Sequence, residues 1–433
     1  MASQGMVAVI LSDIHIGDDQ GIVSAGPRPG YVAIDGVFVR SELPRRLAAI
    51  EQFVQAQGNK IHTLILNGDV WDVAVRSVAV VADVAATFFQ AVRLDHYFDE
   101  ILFLPGNHDH HLWQLLQTQT CILRPLENRL PPALASGSST VREFPNAQSG
   151  FLDLPSGTLT IPGVQGPYVG DVYVTALTGG TLPVNVVYPT LFIRVQTGAE
   201  TECTVVTHGH FFELAWSLLS DLVAEVLEKK GVVLDLAALE MLNAPLTEFI
   251  NFSLAQQEGR VAEIVSSIYD GARTGTIPEL AQLRDGLVAT LEEVFDAADV
   301  GATVHWVREE LLKLIVGYLM RRLGGKARGV VRTTATARPT PSSARFDTSF
   351  LDHPEAQRRI GAFLTLSQAQ LGVTPIRRLV FGHTHDAFAT RTKKIAGIGP
   401  IEVWNTGGWV PEQSKPCSIL AIGIDSDGAL QGF

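Results

Sequence analysis

Five short apolar runs in this chain end abruptly in Asp, Asn or His, often beside a glycine. The first ends in Ser12-Asp13-Ile14-His15, the second in Asn67-Gly68-Asp69-Val70-Trp71-Asp72, and the third in Gly106-Asn107-His108-Asp109. The fourth ends in Thr207-His208-Gly209-His210 and the fifth in Gly382-His383-Thr384-His385. Imidazole and carboxylate suit Zn, Mn, Fe or Ni, and the lack of cysteine in these clusters argues against a structural zinc site or an iron–sulfur cluster. Asp13, His15, Asp69, Asn107, His108, His208, His383 and His385 are more ligands than one ion needs. Two ions sharing a bridging carboxylate would use them, and two metals about 3.5–4 Å apart can clamp a phosphoryl group and activate water. Taken singly, a Gly-Asn step is ordinary turn chemistry; five such clusters together carry the assignment. Asp72 reads as a supporting or capping residue. His210 reads as a substrate contact, a support or an alternate to His208. His110 and His111 read as surface or supporting residues, and His62, His96, His305 and His353 as ordinary structural histidines.

To bring these clusters together, the chain needs strands whose carboxyl ends meet, because ligands of open α/β sheets bind outside those ends. The runs Val7 to Leu11, Leu64 to Leu66 and Ile101 to Leu104 are short and continuously apolar, as strands buried on both faces are. Helical spacing separates them: Ser41-Glu42-Leu43-Pro44 starts a helix carrying Leu47, Ile50 and Val54, and a second helix covers roughly 77–94. Such alternation implies βαβ units and a largely parallel sheet. From about 139 to 206 the texture turns β-rich, with alternating runs at 158–161 and 172–175 that predict antiparallel strands. Helical periodicity returns over 211–323, a Gly, Thr, Ser and Pro-rich loop follows over 324–344, and a last helix over 354–371 leads into the strand 378–381.

The 433 residues carry a formal net charge of −12, which weighs against a nucleic-acid surface, since phosphate backbones need clustered Lys and Arg. It leaves room for an anionic small substrate, because bound cations reverse the local field. Cys121, Cys203 and Cys417 are few and far apart, as expected of a reducing compartment rather than a disulfide scaffold. With no signal peptide and no stretch near the ~20 apolar residues of a membrane span, a cytoplasmic protein is the expectation. Residues 304–323 form a basic amphipathic pattern that allows peripheral membrane contact, but more often marks a core-facing or dimer-forming helix. The loop at 324–344 holds Lys326, Arg328, Arg332 and Arg338 and no acid, which suits either phosphate contacts or a solvated linker.

The series DxH, GDxxD, GNHD, HGH and GHTH, in this order, resembles the calcineurin-like metallophosphoesterase superfamily. The resemblance implies a four-layer α/β sandwich, with two mixed β-sheets flanked by helices. Here it would be interrupted by a large helical cap insertion. The expected division is a first core part at 1–210 with a β-rich insert at about 139–200, a cap at 211–345 ending in the flexible loop, and a second core part at 346–433. It also implies two divalent ions (Mn, Zn, Fe or Ni). Asp13, His15 and His385 would hold one, Asn107, His208 and His383 the other, and Asp69 would bridge them. His108 would face the scissile bond with Asp109 fixing its orientation, while a metal-bridging hydroxide attacks phosphorus in line. The implied activity is hydrolysis of a phosphomonoester, phosphodiester or pyrophosphate on a small-molecule or lipid-linked substrate. Ser12-Asp13-Ile14-His15-Ile16-Gly17-Asp18 and Asn405-Thr406-Gly407-Gly408-Trp409 are similar to the UDP-2,3-diacylglucosamine hydrolase branch, although the long 211–371 stretch departs from it. The other readings are a membrane-surface hydrolase of a lipid-linked pyrophosphate and a non-catalytic scaffold. A homo-oligomer is left open.

Overall fold

The apolar run ahead of Asp13 forms β1 (Met6–Leu11) in the computed structural model, which describes residues 5–118, 149–160, 174–212 and 351–433 apart from short gaps, with a few positions between 216 and 248. A small sheet of β2 (Val23–Ser24), β3 (Tyr31–Ile34) and β4 (Val37–Arg40) follows, ordered β2-β4-β3. Then come α1 (Leu43–Gln57), β5 (Ile61–Asn67), α2 (Val78–Val92), β6 (Phe98–Leu104) and α3 (His110–Thr118). The next strands are β7 (Gly150–Leu154), β8 (Thr158–Thr160), β9 (Val184–Val186), β10 (Thr190–Thr197) and β11 (Glu200–Thr207). The last stretch holds α4 (Pro354–Leu371), β12 (Ile376–Phe381), β13 (Phe388–Ile395) and β14 (Gly399–Asn405). It closes with β15 (Gly407–Gly408), β16 (Ser418–Ile419), β17 (Ile422–Asp425) and β18 (Leu430–Gly432).

Two mixed sheets result, one ordered β18-β17-β1-β5-β6-β9 and the other β13-β14-β12-β11-β10-β7-β8. Side-chain alternation along the strands decides the layers. Ala8, Ile10, Ile65, Leu102 and Leu104 face one way and join Leu152, Leu191, Ile193, Val206 and Val380 of the second sheet in one core. Val9, Leu64, Leu66, Ile101 and Phe103 face the other way and pack with Val54 of α1 and Val81, Ala85 and Phe88 of α2. Each Val, Leu, Ile or Phe side chain among them contributes about 1.5–3 kcal/mol on burial. On the second sheet α4 lies against β13 and buries Ile360, Phe363 and Leu364. Helices, sheet, sheet and helix are the four layers.

β1, β5 and β6 run parallel, as do β11, β12 and β14, so each set delivers its carboxyl ends to one edge. Within the stretch at about 139–200, expected as an insert, the described strands lie in the two main sheets: β9 extends the first, while β7, β8 and β10 join the second. Its short runs pair with strands distant in sequence, a property periodicity alone does not reveal. Val174, expected in a strand, is helical and buried, whereas β8 pairs antiparallel with β7.

The chain divides into two compact units, Met1–His210 with Arg345–Phe433, and Phe211–Ala344. In the second unit the described positions from Trp216 to Glu248 are helical, and Asn243 donates to Ser220 Oγ at 2.8 Å. The basic helix expected at 304–323, the loop at 324–344, His305 and His353 lie outside the described residues. Among the described residues no helix is long and apolar enough to cross a membrane.

Candidate metal centre

The strand ladder between β1 and β5 continues past both strand ends. Asp13 N donates to Gly68 O at 2.9 Å, His15 N to Asp69 O at 2.9 Å, Ile16 N to Val70 O at 2.8 Å, and Asp72 N to Ile16 O at 2.8 Å. This lays the first two motifs side by side. Of the seven non-glycine residues with positive φ among the described residues, five are Asp13 (51°), His15 (52°), Asp69 (52°), His383 (66°) and His385 (56°). The left-handed region is costly for such residues and clusters at functional sites. Here it falls on residues whose side chains meet in one pocket, Asp13 and His15 two apart in the first motif and His383 and His385 two apart in the fifth.

Donor atoms converge there in three groups, each within 4.8 Å: Asp13, His15 and His385; His15, Asp69 and His108; and Asp69, His208 and His383. His385 Nε2 lies 3.2 Å from Asp13 Oδ1 and 3.0 Å from His15 Nε2. His208 Nε2 lies 3.3 Å from Asp69 Oδ2 and 3.2 Å from Asn107 Oδ1. Asp13, His15, Asp69, Asn107, His208 and His385 are all buried, and His108 and His383 partly so. The ring tautomers fit a cation site. His208 Nδ1 donates to Asn67 O at 2.9 Å, and His15 Nδ1 donates to Asp72 Oδ2 at 2.8 Å, which leaves each Nε2 lone pair facing the other donors. Acceptor atoms about 3 Å apart in a buried pocket repel unless a cation or protons sit among them, and the N and O donor set suits a divalent metal.

Protons fill that role without a metal. Burial would raise the Asp69 pKa, yet His208, His108 and His15 hold it well below the usual carboxylate range. Burial would lower the His208 pKa, but Asp69 and Asp13 push it up to about 9. His108 is likewise pushed up to about 10, against its burial, by Asp72 and Asp69.

His108 Nδ1 donates to Asp72 Oδ1 at 2.8 Å, so one carboxylate holds both His15 and His108. Burial opposes its ionisation, but His108 and His15 keep it below the usual carboxylate range. The orientation of His108 expected from Asp109 therefore comes from Asp72. Asp109 instead accepts Gly106 N at 2.6 Å and Val70 N at 2.8 Å, tying the third motif to the second. Its pKa is raised to about 6 by burial and by Asp69. Gly106 is packed so closely that a Cβ would lie 2.6 Å from Asp69 N and 2.9 Å from His208 Cδ2.

His210 is buried, its ring 5.6 Å from that of His208 and 6.3 Å from that of His383. His110, expected at the surface or in support, is buried against Tyr188. His62 pairs with Thr63 and His96 with Arg93, both away from the cluster. Sequence reading gave no role here to Ser12 and Asn67. Their signal was position alone, one residue before Asp13 and at the end of the second apolar run.

A family model described as calcineurin-like phosphoesterase matches residues 6–234, more than half of the chain. The chain belongs to the calcineurin-like phosphoesterase family. In this calcineurin-like phosphoesterase the matched span carries four of the five motifs and stops before His383 and His385, which the fold returns to the same pocket through β12. Comparison with curated proteins finds no match.

Proposed function

We propose that the protein hydrolyses phosphoric esters of small molecules with the help of two divalent cations. The observation that carries this reading is the meeting, in one pocket, of the Asp13–His15–His385 and Asp69–His208–His383 donor groups with His108 alongside. Asp13, His15 and His385 would hold one cation and Asn107, His208 and His383 the other, with Asp69 shared between them. Bound there, the cations supply positive charge against the phosphoryl oxygens and acidify water. His108 contributes a proton to the leaving oxygen through Nε2, since Asp72 occupies its Nδ1. Asp72 fixes that ring and His15 together. The scaffold reading loses ground because all eight polar positions are present.

The test is hydrolysis of p-nitrophenyl phosphate, bis-p-nitrophenyl phosphate and a nucleotide-sugar pyrophosphate by metal-stripped protein, with Mn, Zn, Fe, Ni and Mg returned separately. Metal-dependent release is expected, and the preferred substrate sorts monoesterase from diesterase and pyrophosphatase. Folded protein that binds two cations yet releases nothing from any of the three would favour the scaffold.

A further inference from the structure

We infer that residues 405–409 form a sixth loop of this centre, one that positions Asp13 and the fifth motif without offering a ligand; the inference rests on the metal-centre reading above. β14 runs parallel to β12 with Asn405 opposite Phe381, so its carboxyl end reaches the edge where His383 and His385 emerge. Asn405 Nδ2 donates to Gly382 O at 3.0 Å and Thr384 Oγ1 at 2.9 Å, while its Oδ1 accepts Gly407 N at 2.7 Å. Both ends of one buried amide are thereby committed to the fifth motif and to the turn that follows Asn405. Trp409 N donates to Asp13 O at 3.0 Å. Gly408 packs on His385 so tightly that a Cβ would sit 2.6 Å from its Nδ1.

Thr406 adds a relay built from two buried hydroxyls. Ser12 Oγ donates to Asp13 Oδ2 and also contacts Thr406 Oγ1. A hydroxyl has one proton: Ser12 gives its own to the Asp13 carboxylate, and Thr406, whose other acceptor Phe381 O lies at 3.2 Å, gives its own to the closer Ser12 Oγ. Asp13 is otherwise bonded by His383 N, 3.0 Å from both oxygens, and faced by His385 Nε2, 3.2 Å from Oδ1. Ser12, Asn405 and Thr406 are all buried, so solvent has no easy route to replace a missing hydroxyl. Partners that orient ligating carboxylates typically cost about 10–100-fold in metal affinity when removed.

The test is calorimetric titration of metal-stripped full-length protein with Mn²⁺ or Zn²⁺, comparing wild type with Thr406→Val, Thr406→Ser, Ser12→Ala and the double variant Ser12→Ala/Thr406→Val. Thr190→Val is the control: Thr190 is fully buried in β10, and its hydroxyl has no hydrogen-bond partner among the described residues. Thr406→Val should bind one of two ions about 10–100-fold more weakly, while Thr406→Ser and Thr190→Val match wild type. The double variant should be no weaker than Ser12→Ala, because both act through one relay. Unchanged affinity in folded Thr406→Val, equal weakening in Thr190→Val, or additive losses in the double variant would overturn the inference. Should Thr406→Val not fold, Ser12→Ala decides alone, and wild-type affinity there overturns the proposal. Wild type that binds no divalent cation would overturn this inference and the metal-centre reading together.

Discussion

His15 and His108 lean on the same carboxylate, so Asp72 joins a proposed metal ligand to the proposed acid. His108→Ala should keep the metals and slow turnover, on the order of 10²–10⁴-fold, most on substrates with poor leaving groups. Asp72→Asn should reproduce that leaving-group dependence, whereas Asp109→Asn should mainly loosen the loops it ties. Rates across a series of phenyl and alkyl phosphates would decide, and a leaving-group effect confined to Asp109→Asn would refute the assignment. The proton on His208 gives a second expectation. Its Nδ1 is committed to Asn67 O, so the titrating proton sits on Nε2, the atom facing Asp69 and Asn107. A raised histidine pKa stabilises the metal-free fold fully below the ordinary value near 6.5, and that contribution is lost as pH rises through about 9. Cations must expel the same proton, so apparent metal affinity should rise between pH 6 and 9, by up to about tenfold per unit for one proton displaced. Calorimetry in buffers of different ionisation enthalpy would show the released proton; pH-independent binding would contradict it. The candidate ligands were legible because each motif follows an apolar run. The choice between Asp72 and Asp109 was not, because the direction of a side chain after a left-handed turn does not follow from spacing.

Strand ends, rather than whole strands, carry the chemistry of this fold. β1, β5, β6, β11 and β12 could be read directly, since their buried runs stop at a polar cluster. The strands β2 to β4 and β9 are two to four residues long and pair with partners that periodicity cannot name. The end of β14 stood out only by its likeness to one branch and received no position: Asn405-Thr406-Gly407-Gly408 has the composition of any turn, and its register with β12 is what sets it beside the fifth motif. The tight packing between strand ends yields an expectation for Gly106→Ala. The added methyl must displace Asp69 or His208, so the variant should lose metal and activity while its circular dichroism stays that of wild type. Full metal content in that variant would show that the loops yield more easily than their packing implies.

Across the whole molecule, Asp13, His15, Asp69 and Asn107 follow strands of one sheet, and His208, His383 and His385 follow strands of the other. A cation held by both sets would link the two sheets, and one that binds only the folded state stabilises it, by about 2.7 kcal/mol at a hundred times its Kd. The cation that supports hydrolysis should therefore raise the melting temperature and a chelator reverse the gain; scanning calorimetry that shows no shift would argue against ligands drawn from both sheets. Buried Cys203 in β11, its thiol pushed up to about 12 by burial, offers a matching readout, since thiol reagents should reach it only as the second sheet opens. The threading of β1 between β5 and β17 has one more consequence. A ribosome making this chain lays down Asp13 and His15 long before β12, β14 and β17. A nascent chain that stops short of β12 lacks His383 and His385, so it holds only part of the proposed ligand set.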